Sequence, residues 1–245
     1  MAGPLEQFEI HPLIPIEIGG MDISFTNSAG WMMLATGSAA AFLMLGARRR
    51  AMVPGRVQLM AEMAYEFIAN MIRDNVGDAG RRYFPYIFTL FMFILFGNLL
   101  GLIPGSFTYT SHIIVTAALA VTVIIAVTGI GVAKHGLHFF SFFVPSGVPA
   151  LMMPLMIPIE IISYLSRPVS LSIRLFANMM AGHTMIKVFA GFVVPLGAVT
   201  LGLGGLAPIA MNVALTGFEL LVAFLQAYVF TVLTCLYLND ALHLH

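Results

Sequence analysis

The chain has 245 residues, of which 60% are hydrophobic and only 9% charged. Soluble domains carry about 25% charged residues, so this composition excludes an ordinary soluble fold and puts most of the chain in a membrane. The 11 basic and 11 acidic residues cancel, which removes the basic footprint expected of a nucleic-acid partner. The one cysteine, Cys235, excludes an internal disulfide and a cysteine metal site.

The N-terminal stretch MAGPLEQFEIHPLIPIEIGG carries Glu6, Glu9 and Glu17 and neither Lys nor Arg, so no cleaved secretory signal is expected. A bilayer core takes about 20 apolar residues per crossing helix. The first such run is 30–47, ended by Arg48, Arg49 and Arg50. Residues 55–82 differ: Leu59, Met63, Phe67 and Met71 recur at helical spacing among Glu62, Glu66, Arg73 and Asp74. That pattern predicts an amphipathic helix on the membrane surface or against a partner. Spans follow at 84–103, closed by Pro104-Gly105, and at 112–133, followed by Lys134.

Residues 149–194 make a longer apolar region, which as one helix would run about 69 Å at roughly 1.5 Å per residue. The hydrocarbon core is only about 30 Å thick. The region is therefore two spans turning near SRPVSLSIR, or one steeply tilted helix. The tilted helix is favoured, because the turn would lack Gly or Asn and Pro168 can kink a helix without ending it. The last region, 206–238, is also long, and PLGAVTLGLGGLA at 195–207 reads as the loop of an oblique hairpin. The fold predicted for residues 1–245 is all-α: a single polytopic membrane domain of about five membrane helices, plus the amphipathic one. Arg48 to Arg50, Arg56, Arg73, Arg81 and Arg82 all fall between the first two spans, so that side is cytoplasmic. The N-terminus is then outside and the C-terminus inside.

Ionisable residues within spans mark ion or substrate paths by default. Here they gather in the last hundred residues: Glu160, Arg167, Arg174, His183, Lys187 and Glu219. At about 100° per residue, Glu160, Arg167, Ser170, Arg174 and Asn178 share one face of the long helix. Gly182 lies toward that side, and His183 points away from Arg174. The last helix has its own stripe, Asn212, Glu219 and Gln226 at intervals of seven, with Thr216 nearby. Chain direction adds depth. Glu160 is toward the inside and Arg174 near the middle, while His183 and Glu219 share the outer half.

A carboxyl and an imidazole can relay protons when their surroundings tune them. Arginine keeps its proton in proteins, so Arg174 between two half-paths acts as an electrostatic gate. The plainer alternative has Arg174 snorkelling to an interface or pairing with Glu219 for packing. Arg167 reads as structural and Lys187 as reaching the outer interface. The other histidines, at span ends, loops and termini, suggest no metal site, and no cofactor is expected. No P-loop pattern is present, so the chain is not expected to act on nucleotides. A secondary transporter would show paired repeats and broken helices, and none is seen.

PVSLSIRLFANMMAGH, followed by ELLVAFLQAYVFTVLTCLYL, with FGNLLGLIPG upstream, resembles subunit a of the rotary F-type ATP synthases over most of the chain. The resemblance implies a non-catalytic stator of a proton-driven motor in the Fo membrane sector. Its essential arginine corresponds to Arg174, facing a carboxylate on a ring of c subunits. Its hairpin asparagine and glutamine correspond to Asn178 and Gln226, its inlet acid and polar partner to Glu219 and His183, and its outlet acid to Glu160. The acid and histidine are exchanged relative to some members, as in mitochondria-like ones. A bacterial inner membrane is implied, with the mitochondrial inner membrane as the alternative. The implied partners are the c ring, peripheral-stalk b subunits and the rest of the synthase. The translocated ion is read as H+, with Na+ left open because the ion is bound on the rotor.

Overall fold

The computed structural model describes residues 9–15, 17–18, 21–22, 24–48, 53–103, 105–144, 152–200 and 203–243. Glu6, Arg49, Arg50, Pro104, Gly202, His245 and the start of the 149–194 region lie outside the described residues.

Six α-helices make up the described fold: α1 (Asn27–Arg48), α2 (Arg56–Val76), α3 (Phe84–Gly101), α4 (Ile113–His135), α5 (Met153–Val199) and α6 (Leu206–Leu242). Five are long and apolar enough to cross a membrane, α3 being counted with the 3-10 turn that precedes it. The chain is thus an all-α polytopic membrane protein. Before α1, strand β1 (Pro12–Ile14) pairs antiparallel with β4 (Phe25–Thr26), and β2 (Glu17–Ile18) pairs with β3 (Met21–Asp22). Strands of two or three residues carry no readable alternation, so the sequence gives no sign of them. Asn27 ties this segment to α1: its amide donates to the Glu9 carbonyl at 3.0 Å and its backbone N–H to that of His11 at 3.0 Å.

The side of α1 that is buried is made of small residues, Ser28, Ala35, Ala39 and Gly46, which allow close helix approach. A Cβ on Gly46 would stand 2.6 Å from the Ala61 side chain of α2. In α2 the buried residues are Ile68, Met71, Ile72 and Val76, a stripe at helical spacing. The amphipathic helix is shorter than the 55–82 predicted. It stops at Gly77, whose φ of 75° only glycine adopts readily, and a 3-10 turn, Asp78–Tyr83, leads into α3.

α5 is one helix of 47 residues running through Pro158, Pro168 and Pro195. No turn interrupts it near Pro168. The connection to α6 is shorter than the 195–207 loop expected, because α5 continues to Val199 and a 3-10 turn, Leu203–Gly205, leads straight into α6. α6 is the central element, in contact with α2, α3, α4 and α5. It buries Ala223, Ala227, Phe230, Cys235 and Leu238. α5 is the opposite case: its buried residues are Tyr164, Leu171, Ser172, Leu175 and Met179, and the rest is half-buried or exposed. Two hydrogen bonds fix its inner face to α4, Thr116 to Ser172 at 3.2 Å and Thr128 to Tyr164 at 2.6 Å. An adjoining face, with Ile162, Leu165, Val169 and Ile173, is left exposed.

Candidate functional site

α5 and α6 run antiparallel, because their contacts pair rising numbers on one with falling numbers on the other. Arg167 Nη1 donates to Asp240 Oδ2 at 2.8 Å, and Asn178 Nδ2 to Gln226 Oε1 at 2.9 Å. His183 Nδ1 lies 3.4 Å from Glu219 Oε1. With its amide turned to match donors with acceptors, Asn212 meets the Ile186 carbonyl and the Ala190 N–H at 3.1 Å each. These rungs follow from the sequence. Seven-residue steps on α6 keep Asn212, Glu219 and Gln226 on one side, and that side faces α5. From Arg167 to His183 the ladder climbs about 24 Å at roughly 1.5 Å per residue, a distance comparable with a membrane's apolar core.

Arg174 stands between the Arg167–Asp240 and Asn178–Gln226 rungs. Its side chain is exposed on the hairpin, and among the described residues it makes neither a hydrogen bond nor an ion pair. The pairing of Arg174 with Glu219, one of the plainer readings, does not occur: Glu219 sits beside His183 instead. Arg167, by contrast, has partners on both helices. Besides Asp240, its guanidinium lies 5.5 Å from the Tyr164 ring centroid and 5.1 Å from that of Tyr237, within cation–π range. Ser170 is exposed and Glu160 half-buried, and neither is joined to the ladder by a hydrogen bond. Thr216 turns back on its own helix, donating to the Asn212 carbonyl at 2.8 Å.

Glu219 is 2% exposed, and neither carboxyl oxygen has a hydrogen-bond partner among the described residues. The close approach of α5 makes room for it, since a Cβ on Gly182 would stand 2.6 Å from Glu219 Oε1 and 2.9 Å from its carboxyl carbon. Asn178, Gly182, Phe218 and Glu219 line a groove of about 330 Å³ between the two helices. A Gly182→Ala variant is expected to push the carboxyl away from His183. The expected result is a His183–Glu219 separation wider than 3.4 Å, read from a structure of that variant.

Three residues at the site were not singled out in the sequence. Asp240, the partner of Arg167, lies about one turn beyond Tyr237, the residue that counting along an antiparallel hairpin from Gln226 opposite Asn178 reaches. Asn98 donates to the Ala223 carbonyl at 3.2 Å and, fully buried, joins α3 to α6 between Glu219 and Gln226. Thr108, in the connection between α3 and α4, has its hydroxyl 3.0 Å from His183 Nε2. A loop contact of this kind has no period to reveal it.

Residues 29–239 match the family described as ATP synthase A chain. The chain belongs to that family. It is 60% identical over 245 residues to ATP synthase subunit a of Rhodospirillum rubrum, covering 100% of both chains. It is also 60% identical over 244 residues to the subunit of Chelativorans sp. (strain BNC1), covering 98% of this chain and 97% of that one. The subunit of Paramagnetospirillum magneticum is 56% identical over 248 residues, with 100% of each covered. The family assigns the chain to the Fo membrane sector as a subunit without catalysis of its own, taking part in the ion transport coupled to ATP synthesis. Every hairpin residue described above falls within the matched segment except Asp240.

Proposed function

We propose that the α5–α6 hairpin is the proton-conducting stator surface of the synthase, with two offset half-channels separated by Arg174. The observation that carries this reading is the ladder itself. Two groups whose chemistry allows proton exchange, His183 and Glu219, lie 3.4 Å apart at one level. A permanent cation stands exposed nine residues away along the same helix, and Glu160 lies fourteen residues beyond it. Buried titratable groups clustered in this way mark functional sites.

In this reading a proton arrives from outside through Glu219 and His183 and neutralises a carboxylate on the ring of c subunits. Neutral, that carboxylate can turn into lipid, because an uncharged carboxyl costs far less to bury than a carboxylate. After nearly a full turn it meets Arg174, whose charge favours ionisation, and its proton leaves past Glu160 to the inside. The Asn178–Gln226 bond closes the hairpin on the inlet side of the arginine. The exposed apolar face of α5 is the surface that lipid or the rotor covers, and α2 is the surface offered to peripheral-stalk b subunits. The chain is then a single membrane domain in a bacterial inner membrane, with its N-terminus outside and its C-terminus in the cytoplasm. Bacterial relatives and the arginines between α1 and α3 support that placement.

The test is ATP-driven proton uptake by inverted membrane vesicles carrying His183→Ala or Glu160→Gln, with assembly followed in the same samples. Both variants are expected to assemble and to lose uptake, one through the inlet and one through the outlet. Wild-type uptake in either would remove that residue from the path.

A further inference from the structure

The connection between α3 and α4 supplies a residue to the inlet that the hairpin alone does not explain. The Thr108 hydroxyl is buried and makes two contacts, one with the Gly101 carbonyl oxygen at 3.3 Å and one with His183 Nε2 at 3.0 Å. It has a single proton for two neighbours. A carbonyl oxygen only accepts, whereas a ring nitrogen of neutral histidine either donates or accepts. If the hydroxyl donated to Nε2, its oxygen and that of Gly101 would face each other with no proton between them. Both contacts are satisfied when the hydroxyl donates to Gly101 and Nε2–H donates to the hydroxyl.

From this we infer that Thr108 is a positioning residue that fixes the tautomer of His183, holding the proton on Nε2 and making Nδ1 the nitrogen that takes up and releases transported protons. Nδ1 is the atom that lies 3.4 Å from Glu219 Oε1. The inference rests on the inlet proposed above. In the forward step a protonated Glu219 gives its proton to the Nδ1 lone pair, leaving a carboxylate and an imidazolium. The imidazolium then gives the proton up from Nδ1 to the next carboxylate on the path, and the neutral Nε2–H form returns. Nε2 keeps its proton throughout, so the bond to Thr108 survives both states of the ring.

Thr108 can serve as a fixed reference because α3 seats it independently of α5. A Cβ on Gly101 would stand 2.6 Å from its hydroxyl oxygen and 2.7 Å from its methyl carbon. One turn earlier, Gly97 leaves space for the Tyr109 ring, whose hydroxyl donates to the Phe93 carbonyl at 3.1 Å. Gly97 and Gly101 of FGNLLGLIPG thereby form the seat from which the inlet histidine is oriented.

The test is ATP-driven proton uptake per assembled complex in inverted vesicles. Thr108→Val keeps the shape and removes the hydroxyl, and uptake is expected to fall about tenfold or more, since positioned proton-transfer groups are worth at least that much. Thr108→Ser keeps the hydroxyl and is expected to pump near the wild-type rate. On a His183→Ala background Thr108→Val should add no further loss, because the two residues act through one ring. Thr108→Ala serves as a second hydroxyl-free variant should the valine reduce assembly. Wild-type uptake in Thr108→Val, with His183→Ala inactive, would overturn the inference and leave the inlet standing. Equal loss in the serine and valine variants would also overturn it, by assigning Thr108 a steric role. Wild-type uptake in His183→Ala would instead overturn the proposed inlet.

Discussion

Replacing Glu219 with Gln is expected to lower proton transport by about a hundredfold or more while the complex still assembles. The substitution is nearly isosteric, so the close fit against Gly182 is kept. What disappears is a group that can be protonated and deprotonated. In this structure the carboxyl is 2% exposed and its oxygens have no hydrogen-bond partner among the described residues. Its polar neighbour across the hairpin is His183 Nδ1 at 3.4 Å, a contact that an amide can keep, so a structural role predicts little change. A relay role predicts near-complete loss, because an amide cannot pass a proton to His183 Nδ1. Glu219→Asp separates the two further: it keeps the chemistry but shortens the reach to a partner 3.4 Å away, and is expected to retain partial transport. Vesicle acidification normalised to assembled complex reads all three chains.

Arg174→Ala is expected to abolish coupled transport with little loss of stability. The side chain is exposed and makes neither a hydrogen bond nor an ion pair among the described residues, so its removal strands no buried partner, the kind of loss that destabilises strongly. Its electrostatic effect is large. A unit charge 4 Å from a carboxylate contributes about 4 kcal/mol where the effective dielectric constant is about 20, which is roughly three pKa units. A rotor carboxylate that never meets this charge keeps its proton and has no reason to release it toward Glu160. Arg174→Lys is not expected to restore function, since an ammonium is a strongly hydrated point charge that loses its proton readily when buried.

Much of this site can be read from the sequence because a helical hairpin converts spacing into geometry. Once α5 and α6 are antiparallel, the positions of Asn178 and His183 select Gln226 and Glu219 as their opposite numbers, and the structure brings both pairs together. The length of α5 is legible for a related reason: three prolines fall in its interior, yet no glycine or asparagine marks a turn at Pro168. Other features leave no periodic trace. Thr108 reaches His183 from a connection whose path is set by where Gly97 and Gly101 leave room, a property of the folded α3 surface. Gly77 ends α2 near the close of the 55–82 stretch, and a 3-10 turn takes the remainder. Asp240 looks like a polar helix end until the hairpin brings it to Arg167.

The central claim is that an arginine which never gives up its proton separates two proton paths. The most direct measurement is ATP-driven acidification of inverted vesicles carrying wild-type chain or Arg174→Ala, with assembly and ATP hydrolysis followed in the same membranes. The account predicts that acidification disappears while the complex remains assembled. Acidification at the wild-type rate would contradict it, reducing Arg174 to a packing residue and removing the basis for placing half-channels on either side of it.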